Sequence, residues 1–164
     1  MLATFGSFTG LIGVVIYEKF FKDIEVRKVM WLSILMSCLS GFCDYGLAKR
    51  WNLKMGISDL TYLYTSSIVF GIIGNAISFL PLLSLFAKII PKNVEGTIYA
   101  FMTGTMNLSS AVIAPMIGVY LNDKFVGVTS DNLNGYSTLC LISLSVSFLT
   151  FFLLPLIPTS NQII

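Results

Sequence analysis

The sequence contains no histidine, and only 11% of its residues are charged. A soluble globular domain carries about a quarter charged residues, so too little charge remains here to cover a water-facing surface. The absence of histidine and of clustered carboxylates removes the common ligand sets of a metalloenzyme. The three cysteines, Cys38, Cys43 and Cys140, sit in apolar stretches without CxxC or CxxH spacing. They read as buried thiols rather than zinc ligands or a disulfide framework. There is no glycine-rich phosphate loop and no GxSxG. The many Ser and Thr residues have no base nearby in sequence, so no catalytic constellation emerges. Nothing in the chain calls for a metal or a cofactor. Net charge is +2, and the ten Lys and Arg are scattered in short loops. Such scatter makes no basic patch for nucleic acid.

What is present is apolar. Hydrophobic residues make up 55% of the chain, mean hydropathy is +0.85, and there are 13 Phe and 7 Tyr. Lipid is the solvent that fits this balance, with aromatics suited to lipid-facing surfaces and interfaces. The charges act as punctuation. Residues 1–17 carry none, then seven crowd between Glu18 and Lys28. Residues 29–48 carry only Asp44, while 60–87 and 96–122 carry none, and nothing from 132 onward is charged. A helix needs about 20 apolar residues to cross the hydrocarbon core. The pattern therefore predicts an all-α polytopic bundle in one membrane domain, with five spans at about 2–17, 29–48, 60–87, 96–121 and 136–157. A signal peptide is the competing reading of 1–17. It lacks a basic leader before the apolar run, and Gly and Thr interrupt it. Loops 18–28 and 88–95 hold six Lys or Arg against four in 49–59 and 122–135. The positive-inside rule then leans toward a cytosolic location for the first pair of loops and for the C-terminus.

Small residues recur at every fourth position: Gly6 and Gly10; Ser33, Ser37 and Gly41; Ser67, Gly71 and Asn75; Gly96, Ala100 and Gly104. This spacing stacks them on one helix face and lets backbones approach, either for static packing or for sliding during a conformational cycle. Polar groups at membrane depth cost free energy unless they face protein or water. Asp44 is the one acid well inside a span. It reads either as an interfacial acid next to Lys49 and Arg50, or as a cavity residue that pairs with a coupling proton or a cationic group of a substrate. Asn75 and Asn107 lie mid-span and should face the bundle interior, as interhelical hydrogen-bond partners or as substrate contacts. Pro81 and Pro115 should kink their spans and free a carbonyl, a feature that lines transport cavities but is also common in membrane helices. The sequon Asn107-Leu108-Ser109 lies at membrane depth, out of reach of glycosylation.

The most specific segment runs Leu80-Pro81-Leu82-Leu83-Ser84-Leu85-Phe86-Ala87, then Pro91-Lys92-Asn93-Val94-Glu95-Gly96-Thr97-Ile98-Tyr99-Ala100, then Asn107-Leu108. It resembles the folate-biopterin transporter family, a branch of the major facilitator superfamily. That family has a similar Pro-x-x-x-Glu-Gly-Thr-x-x-Ala run entering its eleventh span. Asn93 stands where the family is expected to have Gly. The resemblance implies spans eight to twelve of a twelve-span transporter, with a folate- or pterin-binding site between two halves. The N-terminal half would then lie outside this chain. Physically, Glu95 complements a helix N-terminus, Gly96 lets the helix start close to a neighbour, and Thr97 bonds back to the backbone. These residues, with Pro81 and Pro115, are structural or gating candidates. Two alternatives stay open: a non-transporting membrane subunit that packs through its small-residue faces, and a transporter of another small solute.

Overall fold

A computed structural model of the chain describes residues 2–91 and 93–158, without the side chains of 1–10, 67–69, 71–73, 75 and 76. Only helices and closed barrels satisfy every backbone group in lipid. The described residues take the first solution, and a helix covers each of the five charge-poor runs.

Helix α1 (Leu2–Phe20) ends in the charged loop, where the amides of Phe21 and Lys22 both reach the Tyr17 carbonyl. Helix α2 (Val26–Ala48) ends at a left-handed Arg50, φ 59°, which turns the chain into the short α3 (Trp51–Lys54). Ser58 caps α4 (Asp59–Ile89) by accepting from the Thr61 amide at 3.2 Å. The fourth run is one continuous helix, Glu95–Val126. It divides into α5 (Glu95–Leu108), a π turn at Ser109–Ile113, α6 (Ala114–Leu121) and a second π turn at Asn122–Val126. It stops at Gly127, φ 71°, where the Asn122 amide holds both the N–H and the C=O of Val128. Helix α7 (Tyr136–Leu149) tightens into a 3-10 stretch at Thr150–Leu156.

Helix α2 is the centre of the packing, with α4 on one side and α7 on the other; α1 lies on α4. Val29, Ile77, Leu85 and Phe86 are buried, and Ser33 of α2 shares a 2.5 Å hydrogen bond with Ser78 of α4. On the other side a Cβ on Gly41 would meet Leu144 of α7 at 3.3 Å. Ser33 and Gly41 thus each sit at a close approach, but to different neighbours, while Ser37 lines a cavity between α2 and α7. The side chains of Gly6, Gly10, Ser67, Gly71 and Asn75 lie outside the described residues.

At the α2–α3–α4 end, Trp51 packs on Phe42 and Tyr45, with ring centroids 5.7 and 5.8 Å apart. Asn52 is fully buried and donates to the Ile57 carbonyl and to Asp59. At the other end, Arg27 at the start of α2 donates to the carbonyls of Pro155 and Ile157. A helix leaves its last carbonyls without intrahelical donors, and the guanidinium supplies them here.

Candidate functional site

The α2–α7 seam holds Asp44. Its side chain is exposed at the mouth of a cavity of about 200 Å³ that Gly41, Tyr136, Leu139, Cys140 and Ser143 also line. Neither nearby base pairs with it. Arg50 forms its ion pair with Asp59. Lys49 reaches instead over the Tyr45 ring, 5.8 Å from its centroid. Asp44 is therefore an acid in a cleft without a cationic partner among the described residues, and the expected proximity of Lys49 and Arg50 does not supply one. A second cavity in the same seam, of about 390 Å³, is mainly apolar and lies between Met30, Ile34, Ser37, Ser147 and Leu153.

Asn107 does not line either cavity of this seam. It is the penultimate residue of α5, two before the π turn, and is exposed. Its carbonyl accepts from Ser110 at 3.4 Å, but its amide finds no partner among the described residues. The expectation that it faces the interior of the bundle is not met within this chain, and the reason is geometric. Helix 95–126 touches its neighbours near its ends, α5 against α4 and the second π turn against α7. None of its described residues is buried. Asn75 lies on α4 with its side chain outside the described residues.

The proline positions have a local explanation. Pro115 follows the first π turn, in which the Ala114 amide reaches back five residues to Ser109. Proline has no N–H, and its ring crowds the carbonyl four residues back, so a widened turn just before it relieves that crowding. Pro81 is buried and α4 continues through it. Next to it, Ser78 bonds both Ser33 and the Gly74 carbonyl.

The Glu-Gly-Thr turn is partly as the sequence suggests. Glu95 is in the first turn of α5, and its carboxylate accepts from the Asn93 amide at 2.9 Å. Asn93 has φ 80°. Glycine adopts that left-handed region freely, and Asn is among the few other residues that tolerate it. A turn needing this geometry accounts for Asn standing where Gly was expected. Gly96 departs from expectation, because a Cβ built on it meets nothing within 4 Å. Its close approach to a neighbour is not made within this chain, and the same holds for Gly104. Thr97 makes no side-chain hydrogen bond among the described residues.

Sequence reasoning missed Arg27, Trp51 and Asn52, together with the partners of Asp44. Tyr136, Cys140 and Ser143 are contributed by a helix some 90 residues downstream, and no local pattern links them to Asp44.

Helices at Val26–Ala48, Glu95–Val126 and Tyr136–Leu156 are long and apolar enough to cross a membrane. Together with the all-helical architecture of the described residues, they define a multi-pass α-helical integral membrane protein. The chain belongs to the BT1 family, which it matches over residues 1–164. It is 32% identical to the folate-biopterin transporter of Synechocystis sp., over 94% of this chain and 31% of that protein. It is 29% identical to a probable chloroplastic folate-biopterin transporter 8 of Arabidopsis thaliana, over 92% of this chain and 27% of the relative. It is 24% identical to folate transporter 1 of Plasmodium falciparum, over 98% of this chain and 31% of the relative. These names are those of transporters rather than enzymes. The chain spans less than a third of the length of these relatives, and no solved structure matches it.

Proposed function

We propose that this chain is the C-terminal membrane domain of a secondary transporter for folate- or pterin-class solutes, completed by further membrane-spanning helices that pack against helix 95–126. In this reading α1 and α4 cross the membrane with the other three long helices, as spans eight to twelve of a twelve-span protein. The observation that carries it is the uncovered middle of helix 95–126. Asn107, mid-span, has an amide without a partner among the described residues, and a Cβ on Gly104 would meet nothing within 4 Å. A lone amide facing hydrocarbon is costly, so this face belongs against protein or a water-filled path. The relatives' names supply the solute class. Asn107, and Asn75 by its mid-span position, are then solute-contact candidates. Glu95, Gly96 and Thr97 at the entry of helix 95–126, and Pro81 and Pro115 within their helices, are the structural or gating candidates.

Uptake of labelled folate and biopterin by cells expressing the full gene tests the reading. Accumulation above an empty-vector control is expected. Good surface expression without uptake of either solute would remove the substrate assignment. Co-purification of a stoichiometric unrelated membrane protein, with no response to either solute, would favour the subunit alternative.

A further inference from the structure

We propose that the seam between α2 and α7 holds one phospholipid, with its headgroup ammonium at Asp44 and an acyl chain lying along the seam into the apolar cavity.

Charge comes first. Asp44 is near the end of α2 that meets the 49–59 loop, which places it at the level of lipid headgroups. Its neighbouring bases are engaged with Asp59 and with the Tyr45 ring. The titratable groups that face it from packed elements are Tyr62 of α4 and Tyr136 and Cys140 of α7, and none is cationic. With no cationic partner among the described residues, the Asp44 carboxylate is charge-complementary to a lipid ammonium at that level. Tyr136, whose hydroxyl is hydrogen-bonded to Cys140, and Ser143 line the same cavity, and the Ser143 hydroxyl is a donor for a phosphate next to an ammonium.

Size comes second. At about 200 Å³ the Asp44 cavity falls below the roughly 300–1,000 Å³ of sites that enclose drug-sized ligands. A headgroup entering from the side fits it.

Continuity comes third. Met30, Ile34, Ser37, Gly41 and Asp44 recur at three- and four-residue intervals and so form one stripe on α2. The residues of the stripe line the two cavities in turn, and the close approach of Gly41 to Leu144 lies between them. From Asp44 to Met30 the stripe is about 21 Å long, more than half of the roughly 30 Å hydrocarbon core. An acyl chain leaving the polar cavity along the open side of the stripe, past the Gly41–Leu144 contact, would meet the aliphatic walls of Ile34, Leu153 and Leu154 in the apolar one.

The full chain in nanodiscs, made with phosphatidylethanolamine or with phosphatidylglycerol of the same acyl composition, provides the test. Lipid retention is read by native mass spectrometry. Wild type should retain phosphatidylethanolamine over phosphatidylglycerol by about tenfold or more, the scale of one charge-assisted hydrogen bond. Asp44→Asn should abolish the preference, and Asp44→Glu should keep it. Ser147→Phe, which fills the apolar cavity, should lower retention of both lipids and leave the preference intact. This variant tests the tail half of the site even if Asp44→Asn lowers the yield of folded protein. Equal retention of the two lipids by wild type, or a preference that survives Asp44→Asn, overturns the proposal. So does unchanged retention in Ser147→Phe. If Asp44→Asn flattens the pH dependence of uptake while lipid retention is unchanged, Asp44 carries a coupling proton and the lipid site is refuted.

Discussion

Replacing Gly46 by alanine sets two effects of similar size against each other. Gly46 lies in the last turn of α2 and is buried. In a helix interior, alanine is favoured over glycine by about 0.8–1.0 kcal/mol, and near a helix end the gain is at most that. The new Cβ would sit 3.1 Å from Cε3 of Trp51 and 3.2 Å from the Tyr62 hydroxyl. Neither neighbour yields easily. The indole is packed between Phe42 and Tyr45, and the Tyr62 hydroxyl donates to the Cys43 carbonyl at 3.2 Å. Overpacking of this kind costs about 1–3 kcal/mol. The steric effect wins, and Gly46→Ala should destabilise the chain by about 1 kcal/mol. Gly104→Ala is the matched control, because nothing lies within 4 Å of its new methyl. In the chain by itself it should be neutral or stabilising by up to about 1 kcal/mol. Equilibrium unfolding of the purified chain in mixed micelles, followed by tryptophan fluorescence, reads both. A Gly46→Ala variant as stable as Gly104→Ala would show that Trp51 does not seat on α2 as described. Gly104→Ala carries a second meaning in the complete transporter. There it should lose stability if the uncovered face of helix 95–126 is covered by another helix.

Other outcomes follow from the helix ends and loops. Arg27→Gln should free the carbonyls of Pro155 and Ile157 and raise amide exchange across 150–157 while the α2–α4 contact stays protected; hydrogen exchange by mass spectrometry reads the difference. Hydrogen bonds from Asn52 and Arg50 hold the Asp59 carboxyl below the usual carboxylate range. A group with a depressed folded pKa stabilises above its unfolded value near 3.9 and loses that contribution as pH falls toward the folded one. The unfolding midpoint should therefore decline below about pH 4, and Asp59→Asn should weaken the decline; an unchanged acid profile in that variant would dismiss the Asp59 contribution. Cysteines placed at Lys22 and Lys92 should be shielded from an impermeant thiol reagent in intact cells, and one at Lys54 should react. The opposite labelling pattern would invert the topology.

Much of the architecture was legible because lipid leaves little choice. With 11% charge and uncharged runs of membrane length, helices were the solution for the backbone, and the charged clusters marked where they end. Glu95 opened a helix as its position in the motif suggested, and the left-handed Asn93 explained the one departure from the family pattern. The sequence also carried the transporter resemblance, in the Glu95-Gly96-Thr97 segment and the Asn107 that follows it.

Only the tertiary structure decided which faces meet. In a soluble helix the apolar stripe points inward and announces the core, but in lipid the outer face is as apolar as the inner one, so periodicity is silent about facing. The partners of Asp44 on α7 could not be read from its neighbours in the chain. The capping of the last helix by Arg27 spans 130 residues. The sequence left Asp44 open between an interfacial acid beside Lys49 and Arg50 and a cavity residue; with both bases engaged elsewhere, it has no cationic partner among the described residues. The open middle of helix 95–126 is likewise a property of the assembled bundle. Its small residues signal close approach, but they do not say to which surface, since the same spacing packs Gly41 against Leu144 and leaves Gly104 facing open space.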